Sequence, residues 1–323
     1  MARHESLSVG SLNVSNITGA GNFQFAQGKS FFVDPNAGSD SNSGLSPTSA
    51  KKTLTAGYAA CTANKNDVVY LIGNNSGITL SAQLVWAKNY THLVGLCAPV
   101  GAAKRSRIFQ LSTLIAMDPL ISITATGCMF KNFYVFQGVD DATSKYAVGL
   151  TSSAQRNYFE NVHFAGIGHD TMDVATAGSL KLDGASENLF YNCQIGLDTI
   201  GRGTAINREL YLDGSASRNK FDKCLFYCWA DNADHTLIEV ADSTGIDRYL
   251  WLHDCTFLAE STNDTINLTS AFGLPALTQG YILITGNTTF HGISDIDSNN
   301  RGKVFNGVAA PAASGAGGLG TEQ

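Results

Sequence analysis

His169, Asp170 and Asp173 form one cluster of side chains able to move protons or carry charge. Asp198 and Arg202 form a second, Asp231, Asp234 and His235 a third, and Glu260 closes the series. Two carboxylates facing one sugar can hydrolyse a glycosidic bond, one as acid and the other as base or nucleophile. That chemistry requires Asp170, Asp198 and Asp231 to converge, with His235 near them. A lyase needs a base beside several cations, and no Arg/Lys cluster accompanies these residues. Acidic loop residues are far more often solvated than catalytic. The leading expectation is therefore no catalytic site, with Asp170, Asp198, Asp231 and His235 as the alternative set. Lys131, Glu160, Tyr191, Asp222 and His253 form another candidate groove, whose mixed charges equally suit a solvated sheet face or a subunit interface. Asp34, Asp40 and Asn42 place oxygen atoms densely enough to consider calcium. The terminal Glu of an EF-hand is missing there, so an Asx-rich turn is the simpler reading. No metal or other cofactor is expected.

The elements that must position these groups are legible in a repeat. "RNYFENVHF", "ENLFYNCQI" and "RNKFDKCLF" write nearly the same phrase three times. Aligned on its first inward residue, the phrase starts at Phe130, Phe159, Phe190, Phe221, Leu252 and, less clearly, Thr285, in steps of 29 to 33 residues. A second phrase precedes it, as "LKLDGAS" from Leu180 and "LYLDGSAS" from Leu210. Apolar residues alternate with period two, as in Leu210 and Leu212 or Cys224 and Phe226, which describes short strands with one buried face. No repeat holds an amphipathic stretch long enough for a helix, and the unit is short for a propeller blade.

The remaining solution is an all-β, right-handed parallel β-helix, a single-stranded solenoid with one coil per repeat and strands stacked about 4.8 Å apart. Equivalent inward residues then form columns: the Phe column, Val162 with Cys193, Cys224 and Cys255, and Phe164 with Ile195, Phe226 and Phe257. The Cys residues read as core filling. Between two strands of each coil stands a one-residue corner, Asn132, Asn161, Asn192, Lys223, Asp254 and Asn287. Such a corner needs a left-handed backbone, which Asn and Asp tolerate. Stacked Asn side chains at this corner resemble the asparagine ladder of the pectate-lyase-like β-helix superfamily, with Asn132, Asn161, Asn192 and Asn287 as its members and Lys223 as an interruption. A second column, Asn157, Asn188 and Asn219, is expected to serve the preceding turn.

"FFVDPNAGSDSNSGLSPTSAKKTLTAGYAACTANKNDVVYLIG", from Phe31 to Gly73, resembles the lead-in segment of many β-helix proteins. It implies an aromatic strand, a polar loop and a helix over Leu54 to Ala63 that covers the open end of the core, with the body of the fold over residues 31–306 and its lead-in over 31–66. Residues 1–30 alternate apolar positions at Leu7, Val9, Leu12 and Val14 between Gly and Ser, as an anchoring arm that pairs with another chain would, or equally as a strand running along its own β-helix would. From Gly307 the chain is a Gly/Ala-rich tail.

Composition narrows the function. Net charge is −6, only 15% of residues are charged, and Gly reaches 33 against 6 Pro. The longest basic run, Lys104 to Arg107, reads as a solvated turn, so nucleic acid is not an expected partner. Seven Cys without a CxxC read as reduced thiols rather than zinc ligands. "MARHESLSVG" lacks the apolar segment of a signal peptide, and no stretch approaches a membrane span. Together these features resemble the β-helix head-decoration, fibre or spike proteins of tailed phages. The resemblance implies a homotrimer on the virion surface, made in the host cytoplasm and attached to capsid or other virion proteins through residues 1–30, with a host surface glycan as a further partner. A polysaccharide-degrading, tailspike-like hydrolase is the alternative.

Overall fold

Alternating short strands bury one face only when the chain winds them around a common interior, and this chain does so. The computed structural model describes residues 28–110, 116–204, 207–261, 265–276, 278–297 and 303–306. Three parallel sheets line a right-handed β-helix. Sheet A has ten strands, from Ser30–Val33 to Val304–Asn306. Sheet B has eight, from Ile78–Leu80 to Thr289–His291, and sheet C seven, from Leu84–Trp86 to Phe272–Gly273. Each coil runs from sheet C through a turn to sheet A, on to sheet B, and back to sheet C by an exit loop of variable length; from Met129–Lys131 onward a one-residue corner joins sheet A to sheet B, whereas residues 73–77 and 97–106 make that passage in the first two coils.

The columns stand where the repeat placed them. Phe130, Phe159, Phe190, Phe221 and Leu252 share one register line. Neighbouring rings on it stack at 4.8, 4.6 and 4.4 Å. Such pairs add about 0.5–1.5 kcal/mol each beyond their buried area. Phe226, Phe257 and Phe290 stack likewise at 4.7 and 4.8 Å on sheet B. Cys193, Cys224 and Cys255 are buried free thiols on a third line, and the Cys224 and Cys255 thiols donate to the carbonyls of Phe190 and Phe221.

The last coil departs from the expected register. Ile284, not Thr285, sits over Leu252, and Thr285 faces outward beside His253. The corner after it is consequently Gly286, at φ 70°, and not Asn287. Asn287 instead donates its backbone N–H to Asp254 Oδ1 at 2.8 Å. The other corners are left-handed as expected, with φ of 59° at Asn132, 53° at Asn161, 50° at Asn192, 55° at Lys223 and 50° at Asp254.

The corner ladder is short. Asn161 Nδ2 donates to Asn132 Oδ1 at 2.8 Å, and Asn132 in turn donates to the carbonyls of Gly95 and Cys97. Asn192 is exposed, and its side chain makes no such bond among the described residues. The longer ladder is the second column. Asn157, Asn188 and Asn219 are buried. Their oxygens accept from the backbone N–H groups of Cys128, Asn157 and Asn188, one coil earlier each time. Their amides donate to the carbonyls of Ala125, Ala154 and Ala185. Each Asn thus satisfies backbone groups of the turn from sheet C to sheet A that would otherwise be buried without partners.

At the N-terminal end the helix α1 spans Leu54–Ala60, shorter than the expected Leu54 to Ala63 because Cys61 is already extended at ψ 148°. Thr53 caps it by accepting from Ala56 N. Leu54 is fully buried, and Tyr58 stacks on Trp86 at 4.2 Å, closing the interior. The basic run is not a solvated turn as a whole. Lys104 and Ser106 are buried, Lys104 Nζ donating to Gly101 O at 2.7 Å and the Ser106 hydroxyl to Leu71 O at 3.0 Å, while Arg105 and Arg107 are exposed. The arm positions Leu7, Val9, Leu12 and Val14 and the tail from 307 lie outside the described residues. Among the described residues no helix is long and apolar enough to cross a membrane.

Candidate functional site

Asp170, Asp198 and Asp231 project from the sheet B to sheet C exits of three successive coils, and all three are exposed. Asp170 opens a 3-10 turn over Asp170–Met172. Asp198 stands on a bulge where the sheet B register jumps between Leu197 and Gly201. Asp231 follows the next sheet B strand and lies against Gly201, where an added Cβ would meet its Oδ2 at 1.8 Å. None of the three makes a side-chain hydrogen bond or ion pair among the described residues.

His235 does not join them. It is fully buried, with Nδ1 bonded to Asn207 Oδ1 and Nε2 lying 3.7 Å from Glu209 Oε1. Asp173 and Arg202 are likewise occupied in holding the exit loop. Asp173 accepts from Gly203 N, Thr204 N and Asn207 Nδ2. Arg202 is fully buried; its Nε meets Glu209 at 2.7 Å, and its other nitrogens donate to the carbonyls of Ile167, Ile200 and Leu197. Ser179 donates to the second oxygen of Glu209. Burial pushes the Glu209 carboxyl up, opposed by Arg202. It also pushes His235 well down, reinforced by Arg202 and Arg208. A buried ion pair survives only when its remaining donors and acceptors are satisfied, and here backbone carbonyls and Ser179 do that. This cluster is therefore a staple for the loop.

A set of groups the repeat phrases contain, but chemistry-first reading missed, lies on the outer face of sheet C. Gly149, Lys181, Tyr211, Glu239 and Gly273 form one outward line across five coils. Tyr211 carries the Arg208 guanidinium over its ring at 4.6 Å. Lys181 pairs with Asp183 at 3.1 Å and Asp213 at 3.4 Å. Glu239 leans over Gly273, where an added Cβ would meet Oε2 at 1.9 Å, and accepts from the Thr236 hydroxyl at 3.1 Å. Burial raises the Glu239 carboxyl, with Arg208 and Thr236 opposing. A half-buried carboxyl raised beside a guanidinium can donate a proton. Alternation in "LKLDG", "LYLDG" and "IEVAD" places Lys181, Tyr211 and Glu239 outward, so the line was readable once the strands were known.

The remaining candidates have plain positions. Lys131, Glu160, Tyr191, Asp222 and His253 form one outward line on sheet A, as the groove reading requires. Asp34 Oδ1 accepts from Asn36 N, Ala37 N and Asn74 Nδ2. Asp40 accepts from Lys52 N, Thr53 N and the Thr53 hydroxyl. Burial acts to raise the Asp40 carboxyl, but these donors hold it below its ordinary value. Both carboxylates thus organise the lead-in loop as Asx turns do. Among the described residues no group of three or more His, Cys, Asp or Glu side chains is placed to hold a metal ion.

In sequence the chain matches no protein-family model and no curated protein. In structure it is similar to a pectin methylesterase from Aspergillus niger at 13% identity and a TM-score of 0.55, over 90% of this chain and 94% of that one. Pectate lyase Pel9A aligns at 15% identity and a TM-score of 0.57, over 81% of this chain and 63% of that one. A rhamnogalacturonan lyase aligns at 16% identity and a TM-score of 0.55, over 80% and 67%. The likeness is one of fold: the chain shares the parallel β-helix architecture of these proteins.

Proposed function

We propose that the protein is a structural component of a tailed-phage particle, a head-decoration, fibre or spike protein that stands on the virion surface as a homotrimer held by residues 1–30. The observation that carries this reading is the unbroken interior. Rings stack coil on coil from Phe130 to Phe221 and again from Phe226 to Phe290. The buried Asn ladder fixes the turns beside them. A rod built this way resists bending and can project from a surface without an active site. The test is deletion of residues 1–29. Particles should lose the protein while the remaining body keeps its thermal transition; undiminished occupancy on particles contradicts the reading.

One observation favours a second reading, a polysaccharide hydrolase. Glu239, raised by burial beside Arg208 on the outer face of sheet C, has the environment of a general acid. The exposed carboxylates Asp170, Asp198 and Asp231 crowd the exits that lead onto that sheet. Release of reducing ends from host capsule or O-antigen, abolished by Glu239→Gln and by Asp231→Asn, would support it. No release by the unmodified protein, or full release by both variants, would end it.

A further inference from the structure

We propose that the loop of residues 97–106 is an acid-released strap, closed on the outer face of sheet B while His163 is neutral and freed when His163 takes up a proton. The loop joins Thr91–Leu96 of sheet A to Arg107–Gln110 of sheet B, yet it touches sheet B strands two and three coils further on. Ala103 N donates to His163 Nδ1 in a long hydrogen bond of 3.4 Å, and a Cβ added at Gly101 would lie 3.0 Å from Gln194 Nε2. His163 and Gln194 are register partners on adjacent strands. Residues 98–103 are exposed, whereas Lys104 turns inward and is buried.

Both sides of this contact bury a basic group. His163 is 1% exposed, with the Tyr134 ring stacked on it at 4.5 Å and the Tyr227 hydroxyl 3.1 Å from Nε2. A backbone N–H can only donate, so Nδ1 is the bare nitrogen, and Nε2 carries the proton and donates to Gly196 O at 2.9 Å. A second proton would stand on Nδ1, against the Ala103 N–H. It would also place an imidazolium in the field of the Lys104 ammonium, which donates to Gly101 O at 2.7 Å and meets no carboxylate among the described residues. Burial pushes His163 down to about 3, with the Gly196 carbonyl opposing and Lys104 reinforcing. Burial likewise pushes Lys104 down to about 8, opposed by Cys193 and Cys97. The other charges facing this space act on the two tyrosines: Arg107 and Asp198 on Tyr134, and Asp198, Glu209 and Arg202 on Tyr227. Opening returns His163 to its ordinary value near 6.5. Closure is therefore complete above that value and weakens below it by up to about tenfold per pH unit. Lys104 is charged in both states below about 8 and adds only a constant cost there. Release delivers Lys104 to solvent and uncovers Tyr134, His163 and Tyr227. The inference goes beyond the virion reading and does not depend on it.

The experiment is hydrogen exchange of the full chain, read by mass spectrometry from about pH 7.5 to about pH 4.5 with times scaled for the intrinsic rate. Protection of residues 98–106 should fall with acid, by up to about tenfold per pH unit, while the Leu189–Tyr191 strand stays protected. Hydroxyl-radical labelling of Tyr134 and Tyr227 should rise in step. His163→Gln still offers an oxygen to Ala103 N but does not titrate, so its loop should stay protected across the range. Lys104→Met should move release to lower pH, because closure then buries one cation fewer. His235→Gln should leave release where it is. Unchanged protection down to about pH 4.5, equal loss in His163→Gln, release at higher pH in Lys104→Met, or loss only together with the Leu189–Tyr191 strand would each overturn the proposal.

Discussion

The corner between sheets A and B and the exit from sheet B to sheet C perform the same task, passing the chain from one sheet to the next, by opposite means. At the corner a single left-handed residue does it in each coil from Met129–Lys131 onward, with stacked rings on either side. At the exit each coil uses different residues, and the one between Gln194–Arg202 and Arg208–Asp213 is pinned by the buried Arg202–Glu209 pair. The corner is a nearest-neighbour structure, stabilised by whatever lies one coil above and below. The exit is a local network whose members satisfy one another. Coil geometry can therefore stay constant while the exits diverge, which is where the exposed Asp170, Asp198 and Asp231 are found.

Breaking the two regions should give different responses. Glu209→Ala leaves the Arg202 guanidinium buried without its carboxylate and should cost about 3–5 kcal/mol, whereas Arg202→Met with Glu209→Leu together should cost far less. Urea unfolding of the single and double variants would separate a missing partner from a missing volume. Phe190→Ala removes a ring stacked on both sides and should cost about 3–5 kcal/mol with no comparable rescue by a second change. Asn188→Ala strips partners from Asn157 N and Ala154 O and should cost about 1–3 kcal/mol, read by the same unfolding curves.

The exit should also respond to pH. His235 is depressed by burial, so its contribution to stability is complete above its ordinary value near 6.5 and declines as pH falls below that. The decline approaches about 1.4 kcal/mol per pH unit. Glu209, raised by burial, acts in the opposite direction near its own titration, so the His235 contribution is the difference between the unmodified protein and His235→Gln. Denaturation midpoints between pH 7.5 and 5 should fall more steeply for the unmodified protein; parallel curves would place His235 outside the staple. The smallest effect is expected at Asn192→Gly. The corner needs only a left-handed backbone there, so stability should move by less than about 0.5 kcal/mol.

The same contrast explains what the sequence disclosed. The Phe and Cys lines were legible because an inward residue must repeat its character in every coil. The left-handed corners were legible because few residue types tolerate them. The final register was not, because Ile284 and Thr285 are adjacent and only the pairing partner decides which faces inward. The principal ladder was placed one column too late, since Asn157, Asn188 and Asn219 differ from the corner Asn residues in burial and not in type. Lys104 reads as a surface cation until its own loop is seen to fold back and hold the ammonium on the Gly101 carbonyl. The exits resisted most. Nothing in the spacing of Arg202, Glu209 and His235 indicates that they meet, nor that His235 is thereby withdrawn from Asp170, Asp198 and Asp231. Glu239 shows a related limit: its outward direction follows from alternation, but its raised carboxyl follows from Arg208 and Thr236.

Engineered cysteines on the outer face of sheet A test the winding itself most directly. Glu160 and Tyr191 are register partners in adjacent coils, at a strand separation of about 4.8 Å that a disulfide spans. Glu160 and Asp222 are two coils apart, beyond the roughly 7 Å limit for bridging. Under mild oxidation, peptide mass spectrometry should find the cross-link in Glu160→Cys/Tyr191→Cys and not in Glu160→Cys/Asp222→Cys. The reverse pattern, or no bridge in the first pair, would contradict the solenoid register.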